Sequence, residues 1–279
     1  MTRRPTWRAA ASRLAGRPTP ARPGEAVDVR LAVRAAYLAH RQLVIERRPL
    51  PALHEVGSSV FSQNDEDGIL LFLLAVVGLM APTGRLIDIG AGDGVFASNS
   101  ANLLLHLGFH GLLLEGDAQQ SEQCRTFYAS APATKQFPPV STCAFVTREN
   151  VDALVSDAGP AGDVDLLSVI VDGNDYWIWD ALTVATPSIV LLETHTEHGD
   201  DDVLAPYDPA FDWRLAPPGT PLGASPVAAV RMAAQKGYRL VGGSRYGYNA
   251  FFLRQGVAED LVPTVPPEAL LQHPWSAAP

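Results

Sequence analysis

Asp88, Gly90, Gly92, Asp93 and Gly94 stand in the stretch "RLIDIGAGDGVFASN", residues 85–99, where a short apolar run meets glycines at alternate positions. Glycines so placed let the backbone turn into left-handed conformations and come close to a ligand. A triphosphate loop would need G-x-x-x-x-G-K-[ST], and no lysine lies near, so that chemistry is out. A dinucleotide loop would need G-x-G-x-x-G or a final alanine. Counting from Gly90 gives Gly92 and then Val95, whose β-branched side chain hinders close packing of helix on strand.

S-adenosylmethionine suits these residues better. It has no pyrophosphate to cradle. It carries an ammonium and a sulfonium, for which Asp88 and Asp93 are suitable neighbours. The second apolar run ends in "LLLEGD", and Glu115 lies 21 residues past Gly94, where an acid can accept both ribose hydroxyls. Gly116 and Asp117 follow it, and Asn99 closes the glycine stretch; all three join the candidate cofactor set. The alternative is a tight turn whose glycines serve packing alone.

Methyl transfer asks for an aligned nucleophile and, at a hydroxyl, a group to remove its proton. Candidates stand after two later apolar runs: Asp172 and Asp175 in "VDGNDYW", and Glu193, His195 and His198 in "ETHTEHGDDD". A histidine here suits general base catalysis, since its pKa sits near working pH. Asp172, Glu193 and His195 would instead suit Mg²⁺ or Mn²⁺, and iron or zinc if both histidines joined. The plainer reading has Asp172 and Asp175 capping the next helix and the histidines in a solvated loop. Asp200, Asp201 and Asp202 read as a solvated face. Asn249, flanked by Tyr246 and Tyr248, is placed either to hold a substrate hydroxyl or to make a strand-end turn. Trp177 and Trp179 read as core.

The elements that must position these groups alternate from residue 85 onward. Strands are expected at "RLIDIG", "HGLLLEGD", within "FPPVSTCAFV", at "DLLSVIVDG" and at "PSIVLLETH". Helices are expected at "FASNSANLLLHLG", "AQQSEQCRTFYAS", "NVDALVSDAG" and "DYWIWDALTVA". A loop of about thirty residues, His195 to Ser225, is long enough to be a binding loop and is the candidate for acceptor selectivity. The helix "PVAAVRMAAQKG" and the strand pair "YRLVGGSRYG" and "YNAFFLRQ" complete the pattern. Such alternation means βαβ units and a mostly parallel sheet covered on both faces. Ligands then sit beyond the carboxyl ends of the strands, where each acidic or glycine cluster falls.

Ahead of this lies a helix at about 25–48 and a second, strongly apolar one beginning in "SQNDEDGILLFLLAVVGLM", with Asn64 or Asp65 as N-cap. The bounds expected are a basic N-terminal extension over 1–50, disordered to about residue 24, a main domain over 51–260, and a Pro-rich, extended tail over 261–279. The run "GILLFLLAVVGLM" is thirteen residues, short of the ~20 that span a bilayer.

The chain has 279 residues, 47% hydrophobic and 18% charged, enough for a sizeable core. Its net charge of −9 argues against a nucleic-acid surface. Residues 1–50 hold eleven arginines against Glu25, Asp28 and Glu46, a balance of +8 that leaves about −17 for the rest. That acid-poor start is either a basic tail or resembles an organellar transit peptide. Two cysteines, Cys124 and Cys143, exclude a disulfide framework and fit a reducing, cytoplasmic setting.

"DIGAGDG" followed by "EGD" resembles the class I S-adenosylmethionine-dependent methyltransferases. More narrowly, "FSQNDEDGIL", "DIGAGDGVFASNSANLLLHLGFHGLLLEGD", "VDGNDYWIWDAL" and "GYNAFFLR" resemble the FkbM-like group, which methylates hydroxyls on natural products and sugars. The resemblance spans roughly residues 60–255. It implies a seven-stranded Rossmann-like sheet with an antiparallel last strand. It implies that the segment of Gln63 covers the cofactor, and offers Mg²⁺ held by strand-end acids by analogy with some sugar O-methyltransferases. Where that group often carries acid–Gly–x–Glu, this chain reads Asp172-Gly173-Asn174-Asp175, with a shorter final acid. The function expected is O-methylation of a small polar or glycosylated metabolite, with no nucleic-acid partner and with a homo-oligomer as an open option. The alternatives are an N- or C-methyltransferase on the same fold, or a silent methyltransferase-like domain that binds a partner protein.

Overall fold

The computed structural model describes residues 23–79, 84–217, 220 and 222–272. The disorder expected for the first 22 residues, and the end of the Pro-rich tail, lie outside them. Seven strands form one sheet: β1 Arg85–Ile89, β2 His110–Glu115, β3 Val140–Cys143, β4 Gly162–Val169, β5 Ala185–Glu193, β6 Tyr238–Gly243 and β7 Asn249–Arg254. Their order is β3-β2-β1-β4-β5-β7-β6. The first five are parallel; β7 runs antiparallel between β5 and β6. The order reverses direction at β1 and β4, which opens a crevice beyond their carboxyl ends.

Among the described residues six α-helices cover the sheet: α1 Pro23–Ile45, α2 Glu66–Val77, α3 Ala118–Ser130, α4 Val151–Ala158, α5 Asp175–Ala181 and α6 Pro226–Gln235. Side chains alternate along each strand, so the core divides in two. Leu86, Leu113, Phe251 and Leu253 face α1, α2 and the residues Cys124 and Tyr128 of α3. Ile87, Ile89, Leu112, Leu114 and Phe252 face α4, α5 and α6. Among the described residues no helix is long and apolar enough to cross a membrane.

α2 is apolar on every side because it lies between the sheet and α1. α1 buries only the stripe of Val33 and Tyr37, while Leu31 and Leu38, 62% and 56% exposed, face outward. Its arginines have a local task. Arg41 Nη1 donates to the Ala75 carbonyl (3.3 Å) in the last turn of α2, and Arg34 Nε donates to the His106 carbonyl (3.2 Å). Cations at helix C-termini satisfy orphan carbonyls and favour the dipole.

Two expectations are corrected. The helix expected from Phe96 begins only at Ala101 and runs into a π-helical turn, Leu103–Leu107. Ala97 is left-handed (φ 53°), which a helix cannot accommodate, and Ser98 Oγ then accepts from Ser100 N and Ala101 N as a fresh cap. Nor is all of the tail extended: Pro267–Leu271 forms a 3₁₀ turn that buries Leu270 against Gly243.

Candidate functional site

A cleft of about 590 Å³ opens at the reversal point of the sheet. Its floor is the turn after β1, including Gly90, Ala91 and Gly92. Its walls are the ends of β2 (Glu115, Gly116, Asp117) and β4 (Ile170, Val171, Asp172). Asp88 and Asn99 also line it.

The three glycines have separate reasons to be glycine. All have positive φ (87°, 60° and 76°), where an L side chain is strained. A Cβ on Gly90 would run into the Ile170 carbonyl of the neighbouring chain segment. One on Gly94 would meet Cys124 Sγ at 2.6 Å and the Tyr128 ring at 2.8 Å. One on Gly92 would meet only Gln120 Oε1, at 3.3 Å. Gly90 and Gly94 are therefore packing glycines, and Gly92 is the least crowded of the three, facing only the end of one flexible side chain.

Glu115 is held in place from two sides. Its Oε2 accepts from Gly92 N (2.7 Å) and its Oε1 from Asp117 N (2.8 Å). Each oxygen keeps a second lone pair for a ligand hydroxyl. Asp117 caps α3, its Oδ1 accepting from Gln119 N and Gln120 N. Asp88, buried, accepts from Ser100 Oγ at 2.7 Å.

On the β4 wall, Asp172 is left-handed (φ 60°) and lines the cleft. Its conformation follows from Asp175, whose carboxylate accepts from Val171 N (2.7 Å) and Gly173 N (2.8 Å) and curls the turn around itself. Burial pushes the Asp175 carboxyl up, against those two amides. Two of the four left-handed non-glycine residues in the described chain, Ala97 and Asp172, line this cleft, and such strain gathers at ligand sites.

Other residues named from the sequence sit elsewhere. Gln63 lies in the turn before α2, away from the cleft lining. Asp93 shapes its own loop, its Oδ1 accepting from Val95 N and Phe96 N. Asn249 is buried and donates through Nδ2 to Glu66 Oε1. His195 is buried at the end of β5 rather than solvated. Its Nδ1 pairs with Glu197 Oε1 (3.0 Å), and its ring lies against Gly223. Its Nε2 is buried with no hydrogen-bond partner. Burial lowers its pKa, but the Glu197 hydrogen bond and the charges of Glu193, Glu197 and Asp175 outweigh that and push it up to about 9. An imidazole held protonated and facing Gly223 is poorly placed as a base in the cleft. His198 Nε2 donates to the Leu222 carbonyl.

Among the described residues, the metal ligands expected from the sequence, Asp172, Glu193 and His195, do not form a cluster. Asp172 is in the cleft, Glu193 lies beside Asn249 in the β5–β7 ladder, and His195 packs on Gly223. Among the described residues no group of three or more His, Cys, Asp or Glu could hold a metal ion.

Sequence reasoning missed Phe145, Phe211, Asp212, Trp213 and Arg214, all of which line the cleft. The length of the 195–225 loop marked it as a binding loop; nothing local told which residues reach the crevice. Trp177 is likewise tied to this loop, its Nε1 donating to the Ala205 carbonyl (3.0 Å), while Trp179 is core.

No protein-family model matches the chain, and no curated protein matches it. Among solved structures it is similar, at 17% identity and a TM-score of 0.39, to the mitomycin 7-O-methyltransferase MmcR, over 62% of this chain and 49% of that one. It thus spans about half the length of the mitomycin enzyme. It is similar to the glycopeptide N-methyltransferase MtfA complexed with sinefungin at 12% identity and a TM-score of 0.40, covering 69% and 88% of the two chains. A SAM-dependent methyltransferase from Aquifex aeolicus is similar at 12% identity and a TM-score of 0.39, with 68% and 88% covered. These likenesses are loose and leave the chemistry to the geometry of the cleft.

Proposed function

We propose that this chain is an S-adenosylmethionine-dependent methyltransferase acting on a hydroxyl of a small polar or glycosylated metabolite, in the manner of the FkbM-like group. The observation that carries the reading is Glu115, an acid at the tip of β2, aimed into the cleft by the amides of Gly92 and Asp117. A carboxylate there accepts a ribose diol and repels a 2′-phosphate. The donor set fits the ligand. Asp88, Glu115, Asp117 and Asp172 make the lining acidic, and its one cation among the described residues, Arg214, is paired with Asp212. That balance suits a sulfonium and an ammonium and opposes a pyrophosphate. The bare backbone at Gly92 leaves room for close approach.

When bound, the cofactor supplies a methyl carbon activated by its sulfonium. The chain supplies the rest. Glu115 fixes the ribose, Asp88 adds negative charge beneath the turn, and Phe145, Phe211 and Trp213 keep water out. Asp172, held in its strained conformation by Asp175, takes the proton of the acceptor hydroxyl on its carboxylate. Asp175 is a positioning residue. The two cysteines, both free, suit a reducing cytoplasm.

The test is a titration with S-adenosylhomocysteine followed by an acceptor screen read by product mass. Asp172→Asn is expected to cut turnover about 100-fold or more, the ordinary reach of a general base, while cofactor affinity stays within about threefold. Absence of cofactor binding by the wild type would sink the reading, and methyl on nitrogen or carbon would move the acceptor atom.

A further inference from the structure

The loop after β5 does not hang beside the sheet. Its base is zipped: Ala205 N donates to the Gly223 carbonyl (2.8 Å), Ser225 N to the Val203 carbonyl (2.8 Å), and Leu204 bridges Ala224. From that base the chain crosses the crevice. On the β4 side, Asn174 Nδ2 donates to the Asp208 carbonyl (2.8 Å). Phe211 lies on Gly173, where a Cβ would come within 2.5 Å of its ring, so glycine is required beneath it. On the β2 side, Arg214 holds Asp212 through two nitrogens and feels the charges of Asp117 and Glu115. Phe211 thus rests on the β4 wall and Arg214 lines the same cleft within reach of the β2 charges, with Trp213 between them in its lining.

We propose that Phe211–Arg214 is the roof of the cofactor cleft, and that Trp213 and Arg214 bind the nucleoside half of the ligand. This rests on the cofactor reading above. The long loop then selects the cofactor rather than the acceptor, contrary to the expectation from its length alone. Trp213 offers a large rigid face for a purine, and Arg214 stands on the side where Glu115 would hold the ribose. Leu215, the next residue, points away from the cleft and is 82% exposed.

Calorimetric titration of the full chain with S-adenosylhomocysteine, and with adenosine by competition, tests this in wild type, Trp213→Ala, Arg214→Ala and the control Leu215→Ser. Both roof variants are expected to weaken both ligands by about tenfold or more, with melting temperature unchanged and the control like wild type. Wild-type binding with both roof variants within about twofold of it would overturn the roof and leave the cofactor reading standing. A loss for S-adenosylhomocysteine without a loss for adenosine would overturn the assignment to the nucleoside half. No binding by wild type would overturn the cofactor reading itself, and the roof with it.

Discussion

Asn249 Nδ2 donates to Glu66 Oε1 at 2.8 Å, joining the first turn of α2 to the first residue of β7 across 183 residues of sequence. Both side chains are buried. Glu66 Oε2 accepts from Asn64 N (2.9 Å), and one residue earlier Asp65 Oδ1 accepts from Arg245 N (2.8 Å). Asp65 and Glu66 therefore fasten the β6–β7 hairpin. Asp65 occupies the N-cap position of α2 without capping it.

Asn249→Ala removes one donor from the buried Glu66 carboxylate, which costs about 1–3 kcal/mol. For a chain of this size that lowers the melting temperature by roughly 2–10 °C. Calorimetry should show the loss with cofactor affinity unchanged. A variant of wild-type stability but lowered turnover would restore Asn249 to the catalytic set.

Glu115→Ala removes a charged acceptor worth about 2 kcal/mol, or about thirtyfold in cofactor affinity. Glu115→Gln should keep the shape and lose much of that affinity. Titration of both against S-adenosylhomocysteine is decisive; equal affinities in all three proteins would contradict the ribose assignment.

The glycines should separate by phenotype. Gly90→Ala forces a methyl into the Ile170 carbonyl and Gly94→Ala one into Cys124 and Tyr128, so both should lose folded protein. Gly92→Ala carries only the left-handed backbone cost of about 1 kcal/mol and should fold while losing ligand affinity. Expression and thermal melts of the three variants check this, and equal destabilisation would refute the division of roles.

His195 should make stability fall with rising pH. Its folded pKa of about 9 exceeds the unfolded value of about 6.5, so the folded state binds the extra proton between them. The stabilisation is complete below about pH 6.5 and is lost as pH climbs through 9, at no more than about 1.4 kcal/mol per pH unit for one proton. The groups around the ring are Glu193, Glu197 and Asp175, with His198 at 6.3 Å between ring centroids. Denaturant melts from pH 6 to 10 should show the slope in wild type and its absence in His195→Phe.

The central strands were legible because each carries an apolar run covered on both faces, as in Leu112–Leu114 and Ile189–Leu192. The ribose acid was legible because its distance from the glycine turn is set by one βαβ step. Choosing between Asp172 and Asp175 was beyond a linear reading. They stand three apart and are chemically alike, and backbone amides decide which one turns into the cleft. His195 read as a loop residue because the surface that buries it, Gly223, lies 28 positions away. Trp213 and Arg214 meet Glu115 only through the path of a loop that carries no periodicity.

The seat of β7 between β5 and β6 has a consequence for synthesis of the chain. Among the described residues β6 pairs with no strand except β7, so residues 238–243 emerge from the ribosome with no strand to pair with. Every described residue lining the cleft precedes position 215, so the cleft can assemble first. Asp65 and Glu66 must meanwhile wait for Arg245 and Asn249, about 180 residues behind them. The nascent chain thus carries an open edge at β5 until residue 254 has left the tunnel, and that interval is when it is most exposed to mispairing with a neighbour.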